Sequence, residues 1–257
     1  MSTATVPLGT LLKDWRQRRR LSQLDLALEA GVSARHLSFL ETGRSRPSRE
    51  MVLHLSEQLE VPLRDRNQLL LAAGFAPAFD QRPIDAPEMA PVRDALDKIL
   101  TGHEPYPAVV VDRWWNLAAA NRAIGMFTEP VPAHLMEPPV NVLRVSLHPD
   151  GMAGRILNLG EWRGHLLDRL RRQVALTADE QLEALLEEVS AYPGETAPVP
   201  HGGEIAVPLR YDADGQELSF FSTIATFGTA IDITLSELSI EAFYPADEPT
   251  AAYLRGN

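Results

Sequence analysis

The stretch "LSQLDLALEAGVSARHLSFLETGRSRPSRE", residues 21–50, decides the fold of the N-terminal region. Its apolar residues recur at helical spacing, and Gly31 interrupts the run near its middle. Ser22 and Ser33 each precede a helical pattern and carry the side chain that caps a helix N-terminus. A glycine such as Gly31 supplies the left-handed residue at which helices often end. The pattern therefore predicts two short helices joined by a tight corner, a helix-turn-helix.

Amphipathic patterns on both sides of this corner predict three further helices. One covers residues 8–19, and two follow the corner, over residues 51–59 and 62–73. We therefore expect an all-α head of five helices in residues 1–75. Its third helix would be about 13 Å long, which suits a DNA major groove about 12 Å wide. A helical bundle that only packs is the alternative.

Residues 8–75, with the pattern "SQLDLALEAGVSARHLSFLETGRSRPSREM", resemble the helix-turn-helix domain of the XRE family of lambda-repressor-like regulators. The resemblance implies operator DNA as a double-stranded partner. It implies phosphate contacts from the start of the second helix and from the end of the third, and base contacts between them. The residues that it places at DNA are Gln23, Ser33, Ala34, Arg35, Ser38, Phe39, Thr42, Arg44 and Arg46. Phe39 departs from the family pattern, because many relatives carry a polar residue there that reads a base.

The distribution of charge agrees with a head that meets phosphate. The chain has 257 residues and a net charge of −11, but residues 1–79 carry +3 and the remainder −14. The absence of cysteine excludes disulfides and thiolate metal sites. The N-terminal segment lacks the apolar core of a signal peptide, and no run approaches the roughly 18 apolar residues of a membrane span. We therefore expect a soluble cytoplasmic protein with no membrane partner.

A proline-rich segment, residues 76–91, predicts a linker between the head and a second domain in residues 92–257. The second domain opens with a helix at residues 91–100 and two strands, residues 108–111 and 114–119. A long helix is expected over residues 150–174. A capping box, "TADE" at 177–180, would open another helix. The pattern at the end of the chain then predicts strands.

The stretch "EIAVPLRY", in which Ile205, Val207, Leu209 and Tyr211 alternate with other residues, starts these later strands, and Asp214-Gly215 is a hairpin signal. Helices against an antiparallel sheet make an α+β domain. Its opening resembles a PAS domain. The stretches "LHPDGMAGRILNLGEWRGHLL" (147–167) and "ELSFFSTIATFGTAIDITLSELSIEAFYPADE" (217–248) resemble the MmyB-like ligand-binding domain found behind XRE heads in bacteria. This resemblance implies a one-component transcription regulator with a PAS-like sensor, and for some members a fatty acid as ligand.

The second domain, called the body below, is rich in large apolar residues and poor in polar residues at the expected cavity. This composition is typical of a small-molecule pocket. We expect an elongated apolar ligand that ends in a carboxylate. The apolar lining is expected from Trp115, Phe127, Leu159, Trp162, Phe221 and Phe227. For the carboxylate we expect Arg155 first, with His148, Asn158 and His165 as weaker candidates. Alternatively, the aromatic residues only fill the core.

Catalytic motifs are absent, since the sequence has no H-E-x-x-H, G-x-S-x-G, Walker loop or dinucleotide fingerprint. The seven histidines lack local metal-ligand spacing, so we expect no metal, no cofactor and no enzymatic activity. Haem on His165 is a remote alternative. One short helix reads only a few base pairs, so we expect a homodimer on two-fold-related half-sites. The alternative function for the body is a dimerisation or protein-interaction module without a small-molecule ligand.

Overall fold

The computed structural model describes residues 6–197 and 207–256. Ile205 and His201 therefore lie outside the described residues. The chain divides into two compact units. The head unit comprises Met1–Arg82 and Thr229–Ser236, and the body unit comprises Pro83–Gly228 and Glu237–Asn257. The proline-rich segment 76–91 is divided between them.

Five helices form the described part of the head unit before residue 82, as predicted. They are α1 (Leu8–Arg18), α2 (Gln23–Glu29), α3 (Ala34–Glu41), α4 (Arg49–Gln58) and α5 (Leu63–Ala72). The Ser22 hydroxyl accepts from the Asp25 backbone N–H, and Ser33 does the same for His36, so both predicted caps are confirmed. Gly31 has φ +64°, in the left-handed region that the corner requires.

The head has its own core of buried leucines. Leu12, Leu26, Leu37, Leu55 and Leu70 are all inaccessible to solvent. α1 and α3 approach so closely that a Cβ on Gly9 would lie 2.3 Å from the Glu41 carbonyl oxygen. This contact explains why the first helix begins with a glycine in its first turn. The packing fixes α3 against α1 and leaves the opposite face of α3 outward.

Residues 229–236 belong to the head unit although residues of the body unit precede and follow them in sequence. They end in a short helix, α11 (Ile233–Ser236), whose first backbone N–H donates to the Asp80 carbonyl at 2.8 Å. The Asp232 carboxylate caps Thr234 at 2.9 Å and accepts from Arg82 at 3.0 Å. This segment therefore completes the C-terminal side of the head unit.

The described body unit contains a five-stranded antiparallel sheet in the order β2-β1-β5-β4-β3. Its strands are β1 (Ala108–Val111), β2 (Leu117–Ala120), β3 (Leu209–Ala213), β4 (Gln216–Thr226) and β5 (Ser239–Pro245). Asp214 and Gly215 both have positive φ and join β3 to β4, so the predicted hairpin is confirmed. All four residues of β1 are buried, which makes it the most enclosed strand of the sheet.

Helices pack against this sheet, so the α+β prediction is confirmed. They are α6 (Ala90–His103), α7 (Gly125–Thr128), α8 (Val142–Leu147), α9 (Leu159–Thr177), α10 (Glu180–Ala191) and α12 (Glu248–Gly256). Short 3₁₀ turns cover residues 87–89, 122–124, 133–135 and 152–155. The core lies between the inner face of the sheet and α8 to α10. At its centre the Phe127 ring meets Tyr211, Phe220 and Phe243 edge to face at 5.0–5.8 Å.

The prediction of one helix over residues 150–174 is wrong at its start. α9 begins at Leu159, and Ile156 instead forms a β-bridge with Tyr211. The Leu157 backbone N–H donates to the Arg210 carbonyl at 2.8 Å. Ile156 is buried in this extended pairing. It lies three residues before Leu159, a spacing that also occurs on one face of a helix, which is why the sequence pattern predicted a helix here.

Two smaller predictions also need correction. The second strand begins at Leu117, not at residue 114, because Trp115 has φ +66° and forms a turn. Asp179, not Thr177, caps α10, and its carboxylate accepts from the Gln181 backbone N–H at 2.9 Å. Thr177 is the last residue of α9 and its hydroxyl donates to the Gln173 carbonyl instead.

Candidate DNA-binding surface and ligand cavities

The outward face of α3 carries the predicted base-reading residues. Leu37 and Leu40 are buried against the head core. Because α-helical neighbours on one face are three or four residues apart, Arg35, Ser38 and Phe39 lie together on another face. Arg35 is exposed, and Ser38 and Phe39 are half-buried. The local geometry of the cap and corner thus leaves one short face of α3 turned away from the head core.

Phe39 has a specific neighbour on this face. The Arg35 guanidinium lies over its ring, 5.3 Å from the centroid. A cation above an aromatic face within about 6 Å is attracted by the ring quadrupole. The ring therefore restrains the Arg35 side chain at the N-terminal end of α3.

The residues predicted to contact phosphate lie at the start of α2 and after the end of α3. Thr42, Arg44 and Arg46 are exposed after α3, and the Thr42 hydroxyl donates to the Ser38 carbonyl at 2.7 Å. Gln23 is half-buried, and its amide donates to the Glu41 carboxylate at 2.8 Å. The side chain is thus already held in position by α3.

The carboxylate that holds Gln23 is itself part of a buried ion pair. Arg16 donates to both Glu41 oxygens, at 2.6 and 2.9 Å. Burial raises the pKa of Glu41, but the hydrogen bonds from Arg16 and Gln23 and the Arg16 charge outweigh it, so its pKa lies below the usual value. The network joins α1, α2 and α3 behind the outward face.

In the described part of the body unit, one cavity is apolar and small. It has a volume of about 80 Å³ and lies between the sheet and the helices. Trp115, Phe127 and Trp162, three of the aromatic residues expected at a ligand, line it. Its charged residue, Glu241, is ion-paired with Arg169 at 3.1 Å. The Trp162 N–H donates to Ser146 at 3.0 Å, so the indole is fixed.

A second cavity in the body unit is larger and polar. It has a volume of about 560 Å³, within the usual range for a small-molecule site. It is lined by basic, acidic and phenolic side chains: Arg122, Arg155, Glu104, Glu129, Asp214, Tyr211 and Tyr253. Arg155 pairs with Asp214 at 3.0 Å. Burial raises the pKa of Tyr211, whose hydroxyl donates to the Met126 carbonyl at 3.2 Å.

One short helical segment lies between the two cavities. Ile124, Phe127 and Thr128 line the apolar cavity, and Gly125, Met126 and Glu129 line the polar one. These two sets follow helical spacing, so they are two faces of α7 and the turn before it. A displacement of this segment would therefore change both cavities together.

The other predicted ligand residues lie outside the lining of these two cavities. Leu159 is half-buried against the core, and Asn158 donates to the Pro208 carbonyl and accepts from the Arg210 N–H. The His165 ring lies 5.7 Å from Trp162, and burial and the Arg169 charge lower its pKa. Phe221 is exposed and stacks on Tyr244 at 5.2 Å, and Phe227 is half-buried beyond the end of β4.

Sequence reasoning missed most of the polar cavity. Glu104, Arg122, Tyr211 and Tyr253 come from four separated segments, so no local spacing joins them. The inward position of Tyr211 in the strand pattern was the signal available for one of them. His148, predicted near a carboxylate ligand, lies instead beside His134 and Asp150 in a group that the seven histidine positions did not suggest.

Comparison with known proteins adds two matches. Residues 92–256 match the family model of the MmyB-like transcription regulator ligand binding domain, and residues 12–65 match a helix-turn-helix model. No curated protein matches the chain. Among the helices of the described residues, none is long and apolar enough to cross a membrane.

Proposed function

The chain belongs to the MmyB-like transcription regulators, and on that premise we propose that it is a cytoplasmic one-component regulator controlled by an amphipathic carboxylic acid. The helix-turn-helix binds operator DNA, and the body binds the acid, with a fatty acid as the leading candidate. The body acts as a PAS-like sensor in this proposal. The observation that carries the ligand class is the segment around α7, one side of which lines an apolar cavity and the other a polar cavity that contains Arg122 and Arg155 together with three carboxylates.

For DNA, the proposal rests on the outward face of α3. Arg35 reads a base edge, and the Phe39 ring holds its guanidinium in place. Arg44 and Arg46 follow α3 on an exposed segment and bind phosphates. Gln23, held by Glu41, binds a phosphate at the start of α2. This division of labour follows the rule that phosphate contacts position a protein and base contacts specify its site.

For the carboxylate, Arg155 and Arg122 are the cations that line the polar cavity. Arg155 is paired with Asp214, whose side chain is 88% exposed. Because exposed ion pairs contribute little stability, a ligand carboxylate can replace Asp214 at low cost. The hydroxyl of Tyr253 supplies a further donor within the same cavity, whereas the Tyr211 hydroxyl already donates to the Met126 carbonyl.

The apolar cavity is proposed to hold the acyl chain, because its lining is apolar, but its present volume is too small for one. Its 80 Å³ is smaller than the roughly 150 Å³ of an apolar cavity that binds benzene. An acyl chain therefore enters only when α7 and Phe127 move away from Trp162 and the sheet. Each buried methylene contributes about 0.8 kcal/mol, which drives this opening. The opening also alters the polar cavity on the other side of α7.

Thermal unfolding of delipidated full-length protein tests this proposal. Palmitate at 100 times its dissociation constant should stabilise the chain by about 2.7 kcal/mol, which raises Tm by about 5–10 °C. The matched alcohol, hexadecanol, should give less than half of that shift, because it lacks the charge that Arg155 binds. Arg155→Ala should reduce the palmitate shift.

Arg210→Ala is the control, since Arg210 forms a similarly exposed pair with Glu217 outside the cavities. The ligand proposal fails if no acyl compound changes Tm, or if Arg210→Ala reduces the shift as much as Arg155→Ala.

A second function for the body is dimerisation without a small molecule, and exposed apolar side chains on β4 favour it. Phe221 and Ile224 are 40% and 48% exposed. The regulator is proposed as a homodimer in either case, because one α3 reads only a few base pairs. The acyl response of delipidated protein separates the two functions, and light scattering reports whether the chain is a dimer. A dimer with no acyl response supports the interaction module, whereas a Tm shift supports the sensor.

A further inference from the structure

A cluster of side chains in the body unit has the composition of a metal site. His134 lies in the 3₁₀ turn Ala133–Leu135, His148 directly follows α8, and Asp150 comes two residues later. Their ligand atoms all lie within 4.8 Å of one another. Asp150 Oδ2 is 4.0 Å from His134 Nε2 and 3.9 Å from His148 Nδ1. These three side chains converge although 16 residues of sequence separate the first from the last.

We infer that His134, His148 and Asp150 bind a divalent transition-metal ion, with zinc as the metal that best fits the donors. Two imidazoles and one carboxylate form the nitrogen and oxygen set that zinc accepts, with water at the fourth position. In a tetrahedral site with bonds of about 2.0–2.2 Å, neighbouring ligand atoms lie roughly 3.4 Å apart. The two distances from Asp150 therefore need to shorten by about 0.5 Å each, and the distance between the two imidazole nitrogens by at most about 1.4 Å.

The side chains are free to make this approach in different degrees. His134 and Asp150 are 56% and 66% exposed, so rotation about their side-chain bonds is cheap. His148 is more enclosed, and its ring packs edge to face on Tyr192 at 5.0 Å. His148 thus provides the fixed ligand, and the other two close onto it.

The positive charge close to His148 is paired, which lowers the repulsion that a bound cation would meet. Close to His148, Glu188 accepts from the Tyr192 hydroxyl at 2.6 Å and pairs with Arg144 at 2.7 Å, so that nearby positive charge is neutralised. His148 Nδ1 at present accepts the Asp150 backbone N–H at 3.1 Å. A bound metal would accept the Nδ1 lone pair of His148, and the exposed Asp150 backbone N–H would then donate to water. The three side chains lie outside the lining of both cavities, so a ligand in either cavity would not contact them.

Binding would have a structural consequence for α8. His134 and His148 flank the segment that contains this helix, and Leu143, Val145 and Ser146 of α8 line the apolar cavity. A metal that joins the two histidines closes a loop around α8. Zinc should therefore stabilise the protein as well as bind to it.

Equilibrium dialysis of untagged, EDTA-treated, full-length protein against ZnCl₂ tests the site. Wild-type protein should bind one zinc per chain with a dissociation constant below about 10 µM, and zinc should raise Tm. His134→Ala should weaken binding at least tenfold, and because the side chain is exposed the variant should remain folded. The double variant with His148→Ala should bind no zinc at that concentration.

His36→Ala is the control, since His36 lies on α3 in the head unit. Cobalt in place of zinc provides a second readout, because the visible absorption of tetrahedral Co²⁺ should appear in wild type and disappear in His134→Ala. The inference is overturned if wild type binds no zinc at 100 µM. It is also overturned if the stoichiometry and affinity of His134→Ala match those of His36→Ala.

Discussion

The buried ion pair between Arg16 and Glu41 gives the sharpest prediction for the head. Glu41 accepts three hydrogen bonds, two from Arg16 and one from Gln23. The Arg16 and Glu41 side chains are 9% and 3% exposed. Glu41→Gln keeps the size of the side chain and removes its charge, which leaves the Arg16 guanidinium buried without a counter-ion. Breaking a buried pair in this way costs about 3–5 kcal/mol.

That cost is large relative to the head. A unit of this size has about 4–12 kcal/mol of total stability, at roughly 0.05–0.15 kcal/mol per residue. Replacing both partners, Arg16→Met with Glu41→Leu, should recover most of the loss, because neither charge is then buried. The double variant should nevertheless bind DNA less tightly than wild type, since Gln23 loses the carboxylate that holds it.

Hydrogen exchange of full-length protein, followed by mass spectrometry on head peptides, measures the change locally. Glu41→Gln should speed exchange in α1 to α3 by at least two orders of magnitude, because each 1.4 kcal/mol is tenfold. Glu217→Gln removes an exposed partner of Arg210 and serves as the control, with less than about 1 kcal/mol expected. A cost below 1 kcal/mol for Glu41→Gln would refute the reasoning.

Three further predictions concern the head. The stability of the head should be retained above about pH 4.5 and should fall as the pH drops through the lowered pKa of Glu41, because protonation removes the charge that Arg16 binds. Hydrogen exchange followed over an acid titration measures this loss of stability. Gly9→Ala should destabilise the head by at least 2 kcal/mol in urea unfolding, because its Cβ would overlap the Glu41 carbonyl. Arg35→Ala should reduce the preference for one base pair by about 1–3 kcal/mol. Arg44→Ala should instead weaken binding to all DNA sequences alike and reduce the slope of log K against log salt concentration by about one. Fluorescence anisotropy titrations at several salt concentrations measure both effects. Equal effects of the two arginine substitutions would contradict the assigned roles.

The head could be predicted from sequence because its signals are local. The Ser22 and Ser33 hydroxyls each cap a helix by accepting from the backbone N–H three residues later. Gly31 adopts the positive φ that its corner needs. Such signals depend on backbone geometry within a few residues. The Arg16–Glu41 pair spans 25 residues, and nothing in the local pattern indicated it.

The body shows where local reasoning ends. Ile156 has helical spacing from Leu159, but its burial comes from pairing with β3, which only the tertiary fold supplies. Arg155 was expected on a helix and lies in a 3₁₀ turn, yet it still lines a cavity. Trp115, Phe127 and Trp162 are buried and line a cavity, because large apolar side chains favour the interior wherever they fall in the sequence, and their role as ligand contacts stays a prediction.

The central claim is that a ligand in the body changes DNA binding by the head, and one titration tests it most directly. Delipidated full-length protein is titrated against a duplex selected from random sequence, with and without saturating palmitate, and fluorescence anisotropy gives the two dissociation constants. Coupling of about 1–3 kcal/mol, the usual allosteric range, predicts a change of at least fivefold that Arg155→Ala reduces. Selective DNA binding with identical constants in both conditions would contradict the account.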